Sequence, residues 1–161
     1  MKGEDRMPLL YVLCGPSGSG KTTWAKEFIK EHPEITYVSR DTIRFSMMKD
    51  ADEYFAHEKE TFKNFVSTIV EGLRNGKDVI ADATHLNECS RKKLINAIDN
   101  YTSNYSIMYI VFKTNLKTCL KHNEARTGRA RVPKTAIQTM YNNFRMPDMK
   151  EDKRIVDICC V

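Results

Sequence analysis

Residues 9–23 read LLYVLCGPSGSGKTT, an apolar run, a glycine-rich turn, and then a lysine with two threonines. Leu9 to Cys14 suit a buried parallel strand. The turn is Gly15, Pro16, Ser17, Gly18, Ser19 and Gly20, and Lys21, Thr22 and Thr23 open the helix behind it. Gly15, Gly20, Lys21 and Thr22 fill the four fixed positions of the G-x-x-x-x-G-K-[ST] phosphate loop. Glycines there let successive backbone N–H groups turn inward into an anion-binding nest. The helix adds its positive N-terminal end at the same point. Lys21 reaches toward the β- and γ-phosphates and the Thr22 hydroxyl toward Mg²⁺. The stretch from Gly15 to Thr23 therefore predicts a site for a nucleoside triphosphate, with a strand before it and a helix after it.

The rest of the chain extends that pattern. Glu34 to Ser39 predict a second strand, running into SRDTIR. A long helix is expected over Glu53 to Asn75, with Phe55, Phe62, Val66, Ile69 and Leu73 at three- and four-residue steps and Asn75-Gly76 as its stop. Asp78 to Asp82 (DVIAD) read as a third strand, and Tyr105 to Phe112 (YSIMYIVF) as a fourth. Asn87 is placed to cap a helix carrying Leu94, Ile95 and Ile98. Leu116, Cys119 and Leu120 mark a helix running toward ARTGRARVP. Pro133 opens another, with Ile137, Met140, Tyr141 and Phe144 on its apolar face. Ile155 to Cys160 form a fifth strand. Alternation of this kind implies an α/β fold, a parallel sheet of about five strands with helices on both faces. Residues 1–161 read as a single domain, with the residues before Pro8 frayed.

Composition sets limits. The 161 residues are 41% hydrophobic and 29% charged, ordinary for a globular protein that buries about 70% of its unfolded surface. No apolar run approaches the ~20 residues of a membrane span, and MKGEDRMP lacks a signal peptide's apolar core. Five cysteines without zinc spacing predict reduced thiols in a cytoplasm. The net charge of +5 suits an anionic ligand. Cys14, Cys159 and Cys160 are expected on central strands, and Lys150 to Arg154 on a solvated surface.

Ligands of such sheets lie beyond the carboxyl ends of the strands. Three polar clusters fall there: Gly15 to Thr23, Asp41 with Arg44, and Asp82 with Thr84. Asp41 suits either a general base for an attacking hydroxyl or the N-cap of a short helix. Arg44, three residues on, suits a grip on an acceptor phosphate or a surface position. Asp82 suits a Mg²⁺ partner or a turn cap; Thr84 suits a phosphate donor or a strand end. Arg126, Arg129 and Arg131 crowd around a glycine, as expected of a lid that supplies guanidinium charge to a phosphoryl group in flight, with Arg126 the catalytic candidate. Tyr54 and Phe55 suit either base stacking or the long helix's apolar face, and Met47-Met48 either a groove or packing.

Together GPSGSGKTTWA, SRDTIR, DVIADATHLN, ARTGRARVP and TAIQTMYNNF resemble the kinase domain of phage and bacterial polynucleotide 5′-hydroxyl kinases, in order and over nearly the whole chain from Leu9. That resemblance implies a kinase-type P-loop fold and transfer of the γ-phosphate of ATP to 5′-hydroxyl ends of DNA or RNA. It implies that Lys21 and Thr22 serve ATP·Mg²⁺, that Asp41 is the base, that Arg44 binds the phosphate on the 3′ side of the terminal nucleoside, and that Arg126 serves the transition state. The chain departs from the resemblance in having His122-Asn123 where Arg-Asn is usual and His85 where Asn is usual. Its end after the fifth strand implies a kinase without a fused phosphatase. A small-molecule kinase of the same fold, acting on a nucleoside, nucleotide or sugar, is the alternative within enzymes; a non-catalytic ATP switch is the alternative outside them.

Overall fold

The computed structural model describes residues 6–161; the expected fraying of residues 1–5 lies outside them. Five parallel strands, β1 (Leu9–Cys14), β2 (Thr36–Ser39), β3 (Val79–Asp82), β4 (Ser106–Val111) and β5 (Ile155–Cys160), lie in the order β2-β3-β1-β4-β5. Between them run α1 (Lys21–Glu31), α2 (Arg40–Met47), α3 (Glu58–Arg74), α4 (Glu88–Asp99), α5 (Leu116–Glu124) and α6 (Lys134–Asn143). The chain leaves β1 toward β2 on one side, and β4 with β5 fill the other. A crevice therefore opens over the carboxyl end of β1, where such sheets take ligands. Among the described residues no helix is long and apolar enough to cross a membrane.

The period of two along each strand sorts side chains into two cores. Leu10, Val12 and Cys14 of β1, Val79 and Ala81 of β3, and Ile107, Tyr109 and Val111 of β4 pack with α3 and α4. Leu13, Ile80 and Ile110 face the other way, against Ala25, Trp24 and Phe28 of α1. The register of β5 slips between its pairings to Ile107 and Met108, so Val156 is left over and 55% exposed. That slip lets Ile155 and Ile158 both reach the α3 and α4 core, against simple alternation. Gly72 is needed where α3 crosses the sheet, since a Cβ there would lie 2.7 Å from Val79 Cγ2.

Local chemistry places the helix ends. Ser39 Oγ accepts from the Thr42 N–H and caps α2, which puts Asp41 in the first turn rather than at the cap. Asn87 caps α4 in a reciprocal arrangement with Ser90. Gly76, at φ 73°, closes α3 with Lys77 N–H on the Gly72 carbonyl. Several expectations need correction. The second strand starts at Thr36 because the Ile35 N–H closes a turn onto His32. The third starts at Val79 because the Asp78 carboxylate binds Arg6 and the Leu9 N–H. α3 starts at Glu58, since residues 53–57 are held in a turn by the Ala56–Glu53 and His57–Asp52 bonds. Tyr141 is exposed rather than on the apolar face of α6. Cys159 and Cys160 lie on an edge strand, and Cys160 is exposed.

Lys150 to Arg154 are not simply a solvated surface. Arg91, in the first turn of α4 and 1% exposed, is gripped by both Glu151 oxygens at 2.9 and 2.7 Å. Its remaining donors reach the carbonyls of His85 and Arg145, both at 3.1 Å, and the Arg145 N–H meets the Leu86 carbonyl at 2.7 Å. These bonds clamp the loop after β3 between α4 and the segment leading into β5. Its inner side is fastened to β1: Gly15 N–H donates to Thr84 O at 2.9 Å, and His85 Nδ1 to Leu13 O at 2.6 Å. His85 holds a left-handed φ of 41°, with its ring buried against Phe65 and Nε2 unpartnered.

Removing one member of the buried pair strands the other's charge. Glu151→Ala should cost about 3–5 kcal/mol by urea unfolding, and Arg91→Met with Glu151→Leu should recover much of that. A loss under 1 kcal/mol would show that water reaches Arg91.

Burial pushes the His85 imidazole from 6.5 down to about 3; its Leu13 bond opposes the shift, and the charges of Arg40, Lys21 and Arg91 add to it. The folded-state value lies below the unfolded one. The neutral ring's stabilisation is thus fully present above about pH 6.5 and is lost as pH falls toward about 3. Urea midpoints should fall with acidification more steeply in the wild type than in His85→Asn, by up to ~1.4 kcal/mol per pH unit. Asparagine is the replacement of choice because it tolerates this φ. Parallel pH profiles would refute the assignment.

Candidate active site

A cavity of about 340 Å³ opens at the crevice over β1, and its walls bring together residues from six parts of the chain. Ser17, Gly18, Gly20, Lys21, Thr22 and Thr23 line one side; Asp82 and Thr84 form the floor beyond β3; Asp41 and Arg44 stand on α2; His122 and Arg126 come from α5 and the turn after it. The three clusters expected at the strand ends therefore meet.

The loop is shaped by its neighbours. Gly18 has φ +83°, and a Cβ on it would stand 2.5 Å from the Cys119 carbonyl, so α5 packs directly onto the loop backbone. The Ser19 carbonyl accepts from the Thr114 hydroxyl at 2.8 Å. Gly15 and Pro16 lie off the cavity wall, and their carbonyls accept from Lys21 Nζ at 2.9 and 2.7 Å, with Ser19 Oγ at 3.3 Å. Burial lowers the Lys21 ammonium's pKa, against the pull of Asp82 and Asp41; Arg126 adds to the lowering.

Asp82 caps no helix. Its Oδ2 accepts from Thr22 Oγ1 at 2.8 Å and from the Tyr37 hydroxyl at 2.5 Å. Burial and the adjacent Asp82 charge raise the Tyr37 pKa, so it remains a donor. A hydroxyl beside a carboxylate suits a hard cation that takes its remaining ligands from phosphates and water, as Mg²⁺ does. Thr22 and Asp82 thus fit the group that the loop implies.

Asp41 presents two different oxygens. Oδ1 accepts from Arg44 Nη1 and, at 2.7 Å, from the Tyr54 hydroxyl. Oδ2 has no hydrogen-bond partner among the described residues. Arg44 is 5% exposed, which excludes the plain surface reading. Besides Asp41 it donates to both oxygens of Glu58 at 3.0 Å and to the Tyr54 hydroxyl at 3.1 Å, beneath the rings of Tyr54 and Phe55. Arg40 also pairs with Glu58. The guanidinium expected to be free for a ligand is already satisfied by two carboxylates.

The arginine loop divides its roles. Asn123 binds Val132 through both side-chain atoms, Nδ2 to the carbonyl at 2.7 Å and Oδ1 from the N–H at 2.9 Å, which closes the loop at its base. Arg131 braces it through the carbonyls of Arg126 and Glu124. Arg126 reaches the cavity, and among the described residues no acceptor binds its guanidinium. Arg129, expected at the nucleotide, does not line the cavity: its Nη1 donates to the carbonyls of Phe45 and Met48 at the end of α2.

Sequence reasoning missed Tyr37, Arg40, Glu58, His122 and Met140. It left Tyr54 and Phe55 undecided; both lie before α3 and line the cavity. Met48 is buried. Position along β2 was the one available signal, since Tyr37 alternates with buried Val38 and follows the face of α1.

Comparison with known proteins agrees with this geometry. The sequence pattern of the AAA_33 family (AAA domain) matches residues 10–147. The L-seryl-tRNA(Sec) kinase of Methanococcus maripaludis is 30% identical over 156 residues, 93% of this chain and 58% of that protein. A putative bifunctional polynucleotide kinase/RNA ligase of Autographa californica nuclear polyhedrosis virus is 26% identical over 84% of this chain and 20% of its own length. A chain in the structure of the Pnkp1/Rnl/Hen1 RNA repair complex superposes with a TM-score of 0.73 at 26% identity, over 88% of this chain and 45% of that one. This chain thus spans between a fifth and three-fifths of these relatives. A family match over most of the chain, laid on a parallel sheet whose first strand delivers a phosphate loop, shows that the protein belongs to the AAA_33 family and carries its P-loop kinase domain.

Proposed function

We propose that the chain transfers the γ-phosphate of ATP to the 5′-hydroxyl end of DNA or RNA. One observation carries this reading: Asp41 and Arg44 share a cavity with Lys21, Thr22 and Arg126, so an acceptor on α2 would face a nucleotide on the phosphate loop. Lys21 would exchange its loop carbonyls for phosphate oxygens. Thr22 and Asp82 would hold Mg²⁺, which when bound draws charge from the β- and γ-phosphates. Asp41 Oδ2 accepts the proton of the acceptor hydroxyl as its oxygen attacks phosphorus and ADP leaves. Tyr54 and Arg44 hold the other oxygen and keep the carboxylate oriented. Arg126, which no acceptor among the described residues binds, meets the charge that spreads over the transferring group.

Arg44 is the acceptor-phosphate residue in this reading. Glu58 occupies its fork as a phosphate would, and a 3′-phosphate of the acceptor takes that place. The names of the relatives favour acceptors carried on nucleic acid: a polynucleotide in one, a seryl-tRNA in another. A seryl hydroxyl on tRNA is the second reading, supported by the 30% identity over 93% of this chain.

A panel of acceptors with labelled ATP and Mg²⁺ separates these. A 5′-hydroxyl oligonucleotide and a nucleoside 3′-monophosphate should both be phosphorylated, and the plain nucleoside poorly. Asp41→Asn should retain ATP binding and lose ~10²-fold or more in turnover. Arg126→Ala should lower kcat more than it raises the KM for ATP. Raised salt should weaken the longer acceptor more. Label on seryl-tRNA but not on 5′-ends would select the second reading; equal use of nucleoside and nucleoside 3′-monophosphate would point to a small-molecule kinase.

A further inference from the structure

His122 has no place in the scheme above, yet it stands on the wall of the same cavity, between the phosphate loop and Arg126. Its Nδ1 lies 2.7 Å from the Gly18 carbonyl. A carbonyl oxygen only accepts, so Nδ1 carries the hydrogen of this bond. The position is fixed from both sides, because α5 already rests on Gly18 through the Cys119 carbonyl, where no side chain would fit. Among the described residues Nε2 has no partner, and His122 is an exposed residue that lines the cavity. With Nδ1 committed as a donor, the state of Nε2 is the only variable. A neutral ring offers a lone pair there, which repels an anion; an imidazolium offers a second N–H.

We propose that His122 is a phosphate-contacting residue of the nucleotide site that engages its ligand as the imidazolium, so that nucleotide binding takes up a proton from solvent onto Nε2. No bond in the nucleotide breaks in this step. The proposal rests on the nucleotide reading of the loop and specifies how that site depends on pH. The other charged groups on the cavity are Lys21 of the loop, Arg126 beyond the helix, Arg40, Asp41 and Arg44 of α2, Glu58 of α3, Asp82 of β3, and the Tyr54 phenol. Lys121 and Glu124 flank His122 on α5 itself. The cations disfavour a further positive charge in the empty site, and a bound polyphosphate reverses that balance. A binding step that takes up a proton weakens as pH rises.

Calorimetric titration with MgATP near pH 7.5, in two buffers of different ionisation enthalpy, reads the proton directly. The wild type should take up roughly half a proton or more beyond His122→Gln, a comparison that cancels the titration of the γ-phosphate. Wild-type affinity should weaken by about three- to tenfold from ~pH 6 to ~pH 8 relative to that variant. His122→Arg, charged throughout, should bind at least as tightly as the wild type at ~pH 8 without the extra proton. Equal proton uptake by wild type and His122→Gln, both binding MgATP, would overturn the inference and leave the nucleotide reading standing. So would an arginine variant that binds more weakly than the glutamine one. Absence of MgATP binding by the wild type would overturn the nucleotide reading and this inference with it.

Discussion

Lys21 is buried with its ammonium on two loop carbonyls and a hydroxyl, and among the described residues no carboxylate forms an ion pair with it. Desolvating a cation without a partner charge is costly, and burial lowers its pKa accordingly. The surrounding structure has to hold those carbonyls in place, and each support comes from a different element. Thr84 fixes Gly15, the end of α5 fixes Gly18, and Thr114 fixes Ser19. The buried charge is local, but its supports span the sheet. An anion in the loop would relieve the uncompensated charge.

The acceptor side solves the same problem differently. Arg40 and Arg44 converge on Glu58, and Arg44 also holds Asp41, so charges cancel inside the protein. Around the whole cavity four cations, Lys21, Arg40, Arg44 and Arg126, face three carboxylates, Asp41, Glu58 and Asp82. The single excess positive charge lies toward Lys21 and Arg126, the two cavity cations that pair with no carboxylate among the described residues. The cavity therefore keeps its uncompensated positive charge at the loop end and a mutually neutralised cluster at the α2 end.

The nucleotide half of the site was legible in the sequence because it is local: eight consecutive residues from Gly15 to Thr22 contain the nest, the lysine and the hydroxyl. The same holds for the alternation along β1 and β4, and for the caps at Asn87 and Gly76, each set within four residues. Asp41 and Arg44 were legible as a pair for the same reason. Glu58 was not, because its meaning comes from two arginines 18 and 14 residues away. Arg91 and Glu151, 60 residues apart, were invisible as a pair, and Glu151 read as one more surface charge in a mixed run. Local periodicity also overextended α3, since Phe55 matches the helical step while a turn from Asp52 to His57 holds it outside.

The arginine loop shows how far the two halves are one device. Arg126 points at the nucleotide side, whereas Arg129, three residues on, ends on the carbonyls of Phe45 and Met48 where α2 finishes. The first turn of that helix carries Asp41. Asn123 and Val132 pin both ends of the loop through a two-point bond that mimics a backbone pair. The loop that carries Arg126 is thus tied, through Arg129, to the C-terminal end of the helix whose first turn holds Asp41. Arg126 on the phosphate-loop side and the end of the Asp41 helix are therefore joined by one loop, closed at its base by the Asn123–Val132 pair.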